Sequence, residues 1–149
     1  MVWEAWSRLP AAGAGGWRPA PAGLALLRVT VGVVFLAHGL QKAVVWGPLG
    51  GVPFFRDVGI PLAVVAAPLV TAVEMLAGAA LILGYRTRAA AALVGIVALT
   101  ALAAVHLPYG FFLPNGVEFV LVLAAASTTL VLAGPGALAL DARAPHADA

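Results

Sequence analysis

Four long apolar segments fill most of this chain, and six ionisable residues sit inside them or at their ends. Arg28, His38 and Lys42 lie along the first, Glu74 in the middle of the second, His106 near the end of the third and Glu118 near the start of the fourth. A charge held in hydrocarbon costs about 2.5–3.5 kcal/mol on insertion scales. A chain that keeps several such groups is expected to pair them inside a helix bundle, and function is to be sought at that pairing.

The segments run over residues 23–45, 61–83, 89–107 and 117–133. Each reaches the roughly 17–25 residues that span a bilayer. In lipid every backbone polar group must bond within the segment, so helix is the expected state. Hydrophobic residues make up 63% of the 149 positions and charged residues 9%. A soluble domain carries about 25% charge, and a soluble fold of this length has too much surface to hide so much apolar material. The expected fold is therefore an all-α integral membrane four-helix bundle, up-down-up-down, with the lipid bilayer as its first partner. The net charge of +2 is scattered rather than gathered on a polar face, which argues against nucleic acid as a partner.

The chain contains no cysteine. That excludes disulfide frameworks, thiolate nucleophiles, CxxC redox pairs and cysteine-held iron–sulfur clusters. No HExxH pattern, phosphate-binding glycine loop or serine elbow is present, and no metal site is expected. Residues 1–22 form a Gly/Pro/Ala-rich leader, expected to be flexible, in which Trp3, Trp6 and Trp17 suit a membrane interface. Residues 23–141 hold the helices, and residues 142–149 form a polar C-terminal tail.

Gly47, Pro48, Gly50, Gly51 and Pro53 end the first helix, and the following FFRDVGIP reads as a short amphipathic piece on the membrane surface. Residues 84–88 make a tight helix–helix connection. Arg8, Arg18, Arg86, Arg88 and Arg143 lie on the side of the termini, against Lys42 and Arg56 on the other. That bias predicts cytoplasmic termini.

Two constellations can carry chemistry. Glu74 lies about thirteen residues into its helix, roughly 20 Å from the outer end, too far to reach water by extending its side chain. Placed in the inner half of the membrane with Arg28, it is expected to form an intramembrane Arg28–Glu74 pair, with Thr71 and Gly78 on the same face. Such a pair can equally be structural, fixing helix register without chemistry, and Arg28 can instead extend to the headgroups. Gly32, Gly39 and Gly78 are small enough to let helices approach closely. Towards the outer end, His38, Lys42, His106 and Glu118 can form a polar pocket able to bind a polar head such as a quinone ring or to relay protons. Glu118 has a second explanation, because Asn115 and Glu118 stand at capping-box spacing.

The segments LLRVTVGVVFLAHGLQK, FF…GIP, VEMLAGAALILGYRTRAAA, HLPYGFF…NGVEFVLVL and GPGALALD occur in that order across residues 26–141. Together they resemble the DoxX family of small bacterial membrane proteins. The resemblance implies a four-helix protein of the bacterial inner membrane linked to redox metabolism. Namesake members are subunits of a thiosulfate:quinone oxidoreductase, and others associate with oxidative-stress or sulfur-transfer enzymes. The expectation is a non-catalytic membrane subunit or anchor of such a complex, with a redox enzyme as partner, quinone as ligand and no covalently bound cofactor. The alternatives are a small proton-coupled permease, working as a homo-oligomer, and a structural assembly protein without chemistry of its own.

Overall fold

The computed structural model describes residues 19–47, 51–112 and 114–143. The expected leader lies outside these residues up to position 18, as do Pro48, Gly50 and the end of the expected tail. Helix α1 spans Pro19–Val45, α2 Gly51–Asp57, α3 Ala63–Leu83, α4 Thr87–Ala101 and α5 Glu118–Ala133. The first helix thus begins four residues ahead of the expected onset. Pro19 and Pro21 sit in its first turn, where a missing amide costs no helical hydrogen bond.

The long helices form an antiparallel ring in which α1 packs on α3, α3 on α4, α4 on α5, and α5 returns more lightly to α1. The core between them is hydrocarbon: Val31, Phe35, Leu81, Val94, Val120 and Leu130 are its larger buried members. Among the described residues three helices are long and apolar enough to cross a membrane, one of them running on from α4 to Tyr109 through a π turn at Leu102–His106 and a 3-10 turn at Leu107–Tyr109. Helix α5 is shorter, at 16 residues, and its interior is apolar except for Ser127, Thr128 and Thr129, whose hydroxyls bond carbonyls of their own helix. The chain is a multi-pass helical membrane protein.

The FFRDVGIP region contributes to α2, whose Val52 and Phe55 are buried against Ala63 and Ala67 of α3. Arg56 and Asp57 at its end face outward. The connection at residues 84–88 is as tight as its glycine suggests. Gly84 takes a left-handed conformation (φ 69°), its amide bonds Leu81 O, and the Tyr85 amide bonds Ala80 O. These two bonds satisfy carbonyls that a helix end otherwise leaves open.

After α5 the chain turns back across the bundle end, and this strap, residues 134–141, ties the helices together. The Ala137 amide donates to Pro21 O of α1, and the Asp141 amide donates to Gly84 O beyond α3. The Asp141 carboxylate accepts from the Arg86 and Thr87 amides at 2.7 and 2.8 Å, capping α4 where its own N-cap residue makes no side-chain cap. Arg88 caps α5 in turn, donating to Val131 O and Leu132 O.

Candidate functional site

Register decides which charges meet. Along the α1–α3 seam, a Cβ added to Gly32 would lie 2.7 Å from Gly78 O and 2.9 Å from Ile82 N, one on Gly78 would lie 2.7 Å from Leu36 N, and one on Gly39 would lie 2.9 Å from Met75 N. The two backbones therefore touch at glycine, as small residues at a membrane helix seam allow. Seven residues along α1 match seven back along α3. On that register Arg28 lies opposite the end of α3, about eleven residues or roughly 16 Å from Glu74.

The expected Arg28–Glu74 pair is accordingly absent, and both residues find other partners. The Arg28 guanidinium, 2% exposed, donates to Leu81 O at 2.8 Å, Ile82 O at 3.1 Å and Ala137 O at 3.2 Å. It caps α3 and holds the strap. Glu74, 4% exposed, accepts from Lys42 Nζ at 2.5 Å on both carboxylate oxygens. Helices α1 and α3 do not end flush. The first turns of α1 run past α3 beneath the strap, while the first turns of α3 run past α1 beneath α2. This offset lifts Glu74 to the level of Lys42, in the outer half. Thr71 does not join the pair; its hydroxyl bonds Ala67 O at 2.9 Å.

Lys42, with 16% of its side chain exposed, is the more accessible partner. His38, one turn away on α1, is exposed and within electrostatic range of Lys42, Glu74 and His106. The π turn carries His106 to the outer end, where Nδ1 lies 2.8 Å from Asn115 O. A carbonyl only accepts, so Nδ1 bears the proton and Nε2 of the neutral ring remains an acceptor. Glu118 opens α5, and its amide donates to Phe111 O rather than to an Asn115 cap. Val117 is the N-cap, without a side-chain hydrogen bond, and the chain at Gly116 is pressed against Phe111 and Phe112 backbone. Of the expected outer pocket, Lys42, His38 and His106 share one electrostatic neighbourhood, to which Glu74 contributes a carboxylate.

Beside this cluster, a groove of about 420 Å³ opens between α1 and α5, lined by Val33, Val34, Ala37, His38, Gln41 and Phe119. Its walls are apolar, and two side chains offer hydrogen bonds. Among the described residues no three His, Asp or Glu side chains converge as metal ligands would.

At the opposite end, sequence reasoning passed over Asp141 as a site. Burial pushes its carboxyl up, but hydrogen bonds from Thr87 and the Arg86 amide, with the Arg28 charge, outweigh this and hold it below its ordinary value. No local pattern marks an acid 54 residues away in sequence as the cap of α4.

The DoxX family profile matches residues 23–107, more than half of the chain. A Bacillus subtilis protein named "Putative oxidoreductase CatD" is 34% identical over 119 residues, covering 80% of this chain and 84% of its own. A Mycobacterium tuberculosis protein named "Uncharacterized membrane protein Rv3486" is 37% identical over 138 residues, covering 83% and 82%. No solved structure matches the chain. The profile spans α1 to the π turn that carries His106, and so includes the Lys42–Glu74 pair and the glycine seam; the chain belongs to the DoxX family.

Proposed function

We propose that the protein is the membrane subunit of an oxidoreductase complex in the bacterial inner membrane, with cytoplasmic termini, and that its own part is to bind a membrane-dissolved redox carrier in the groove between α1 and α5. The observation that carries this reading is a buried Lys42–Glu74 pair next to two histidines, at the edge of an apolar groove that opens sideways to lipid. The likeness to a protein named as an oxidoreductase gives it direction.

A quinone suits this set of groups. Val33, Val34, Ala37 and Phe119 offer apolar wall for the ring and tail, and His38 and Gln41 can hydrogen-bond its oxygens. When bound it would supply two-electron, two-proton carrier chemistry. The chain's own residues would orient the ring and hold protons near its oxygens. The electron-transferring groups would belong to a partner enzyme.

Purification of the tagged protein from native membranes in mild detergent tests this directly. A flavin-, sulfur- or superoxide-handling enzyme in the eluate, together with extractable quinone lost in His38→Ala, is the expected result. A homo-oligomer that carries neither would count against the redox reading and shift weight to transport or assembly.

A further inference from the structure

The polar groups within the bundle fall into two separate layers. The outer layer holds Lys42, Glu74, His38 and His106, with Glu118 at the start of α5. The inner layer holds Arg28, Arg88 and Asp141, which cap helices or hold the strap, and Thr87, whose amide Asp141 caps while its buried hydroxyl makes no bond among the described residues. Lys42 and Arg28 stand fourteen residues apart on one helix, about 21 Å.

Between the layers the buried side chains are hydrocarbon, including Val31, Phe35, Ala77, Leu81, Val94 and Ala124. Ser127 is the exception, and its hydroxyl is turned back onto Leu123 O at 2.8 Å. A bridging water needs two to four polar partners and room to sit. Between the layers Ser127 spends its hydroxyl within its own helix, and on the α1–α3 side the backbones are already in contact through Gly32 and Gly78. Outward the situation reverses. Lys42 lies in the last turn of α1 and keeps part of its side chain exposed, and half-buried His106 stands beyond the end of α4 on the same side.

We infer that Lys42, Glu74 and their neighbouring histidines form a one-sided proton port: the pair exchanges protons with the aqueous phase on the α2 face of the membrane and is sealed from the strap face. The groups that face Glu74 fit this. Helix α1 presents Lys42 and, within electrostatic range, His38; His106 interacts in turn with His38 from the turn after α4, and Glu118 opens α5 at the same end. Helix α4 carries one ionisable side chain, Arg88, at the far end. Arg56 and Asp57 of α2 face solvent on the open side. A molecule bound against His38 would then take up or release its protons towards the α2 face alone. The inference stands whether or not a redox partner is found, because it concerns water and proton access to this chain.

The full-length protein, reconstituted in one orientation, allows a test by infrared spectroscopy. The carboxylic-acid stretch of Glu74 is assigned by its loss in Glu74→Gln. Acidifying the α2 side should bring the band up; acidifying the strap side should leave it unchanged while the pH difference is held. A response from the strap side overturns the inference, and so does a Glu74 that stays ionised whichever side is acidified. A second measurement does not depend on disturbing the pair. The chain has no cysteine of its own, so Gln41→Cys and Phe35→Cys each provide a single thiol for a membrane-impermeant reagent. Gln41→Cys should react from the α2 side only, and Phe35→Cys from neither. A Phe35→Cys thiol reached from the strap side, or a Gln41→Cys thiol that never reacts, refutes the port.

Discussion

Lys42 holds both oxygens of Glu74 from a neighbouring helix, and removal of either partner leaves a largely buried charge without its counter-charge. Breaking such a pair costs about 3–5 kcal/mol, whereas replacing both partners by apolar side chains of similar volume is close to neutral. Lys42→Met and Glu74→Met are each expected to lower the melting temperature in detergent. The double variant should recover most of the loss, which a double-mutant cycle measures. Arg28 and Glu74, by contrast, should behave independently, since they share no partner. The sequence names every residue of this cluster yet points Glu74 to the wrong cation. Residue counts along each helix place Arg28 and Glu74 level only if α1 and α3 end flush. The offset goes with α2 packed on the first turns of α3 and the strap bonded beyond its last, and neither contact has a local signature.

Glycines decide how closely the elements approach. A methyl at Gly78 would meet Leu36 backbone at 2.7 Å, and backbone cannot move aside as a flexible side chain can. Gly78→Ala is expected to force α1 and α3 apart and to cost about 1–3 kcal/mol, as overpacking does. Gly23→Ala on the same α1 meets nothing within 4 Å and should be neutral or slightly stabilising. Thermal melts of the two variants side by side test the seam. At the start of α4 the element depends on a cap supplied from far along the chain. Because Asp141 titrates below its ordinary value of 3.8 in the folded protein, its contribution is fully present above that value and is lost as pH falls through the lower folded one. The acid-induced drop in melting temperature should therefore be smaller in Asp141→Asn, which at neutral pH should itself lose about 1 kcal/mol of capping. Helix positions were legible from apolar runs and Gly/Pro breaks because those signals are local. The absence of the Asn115 cap was not, because the Glu118 amide it would cap is taken by Phe111 O from before the turn.

At the scale of the whole molecule, the strap is what closes the ring. Through Ala137, Ala139 and Asp141 it meets Pro21, Arg28 and Gly84, so the last residues of the bundle reach both its first helix and its central turn. Truncation after Gly134 removes the Ala137 carbonyl from Arg28 and the carboxylate from α4 at once. It is expected to lower the melting temperature more than Asp141→Asn does and to expose residues 84–88 to proteolysis. The bundle as a class of fold was plain from hydropathy, whereas this closure was visible only as a motif, GPGALALD, without a stated role. The unequal lengths of the helices have a further consequence for the lipid. At 16 residues α5 is about 24 Å long, short of a hydrocarbon layer about 30 Å thick. One wall of the bundle is thus lower than the others, and the bilayer beside it must thin or the protein must lean. Since α5 is also one bank of the groove, membrane thickness becomes a variable that bears on the groove's width. In vesicles of graded acyl-chain length, the exposure of Phe119 and Gln41 to lipid-borne quenchers should change more steeply with thickness than that of residues on α3.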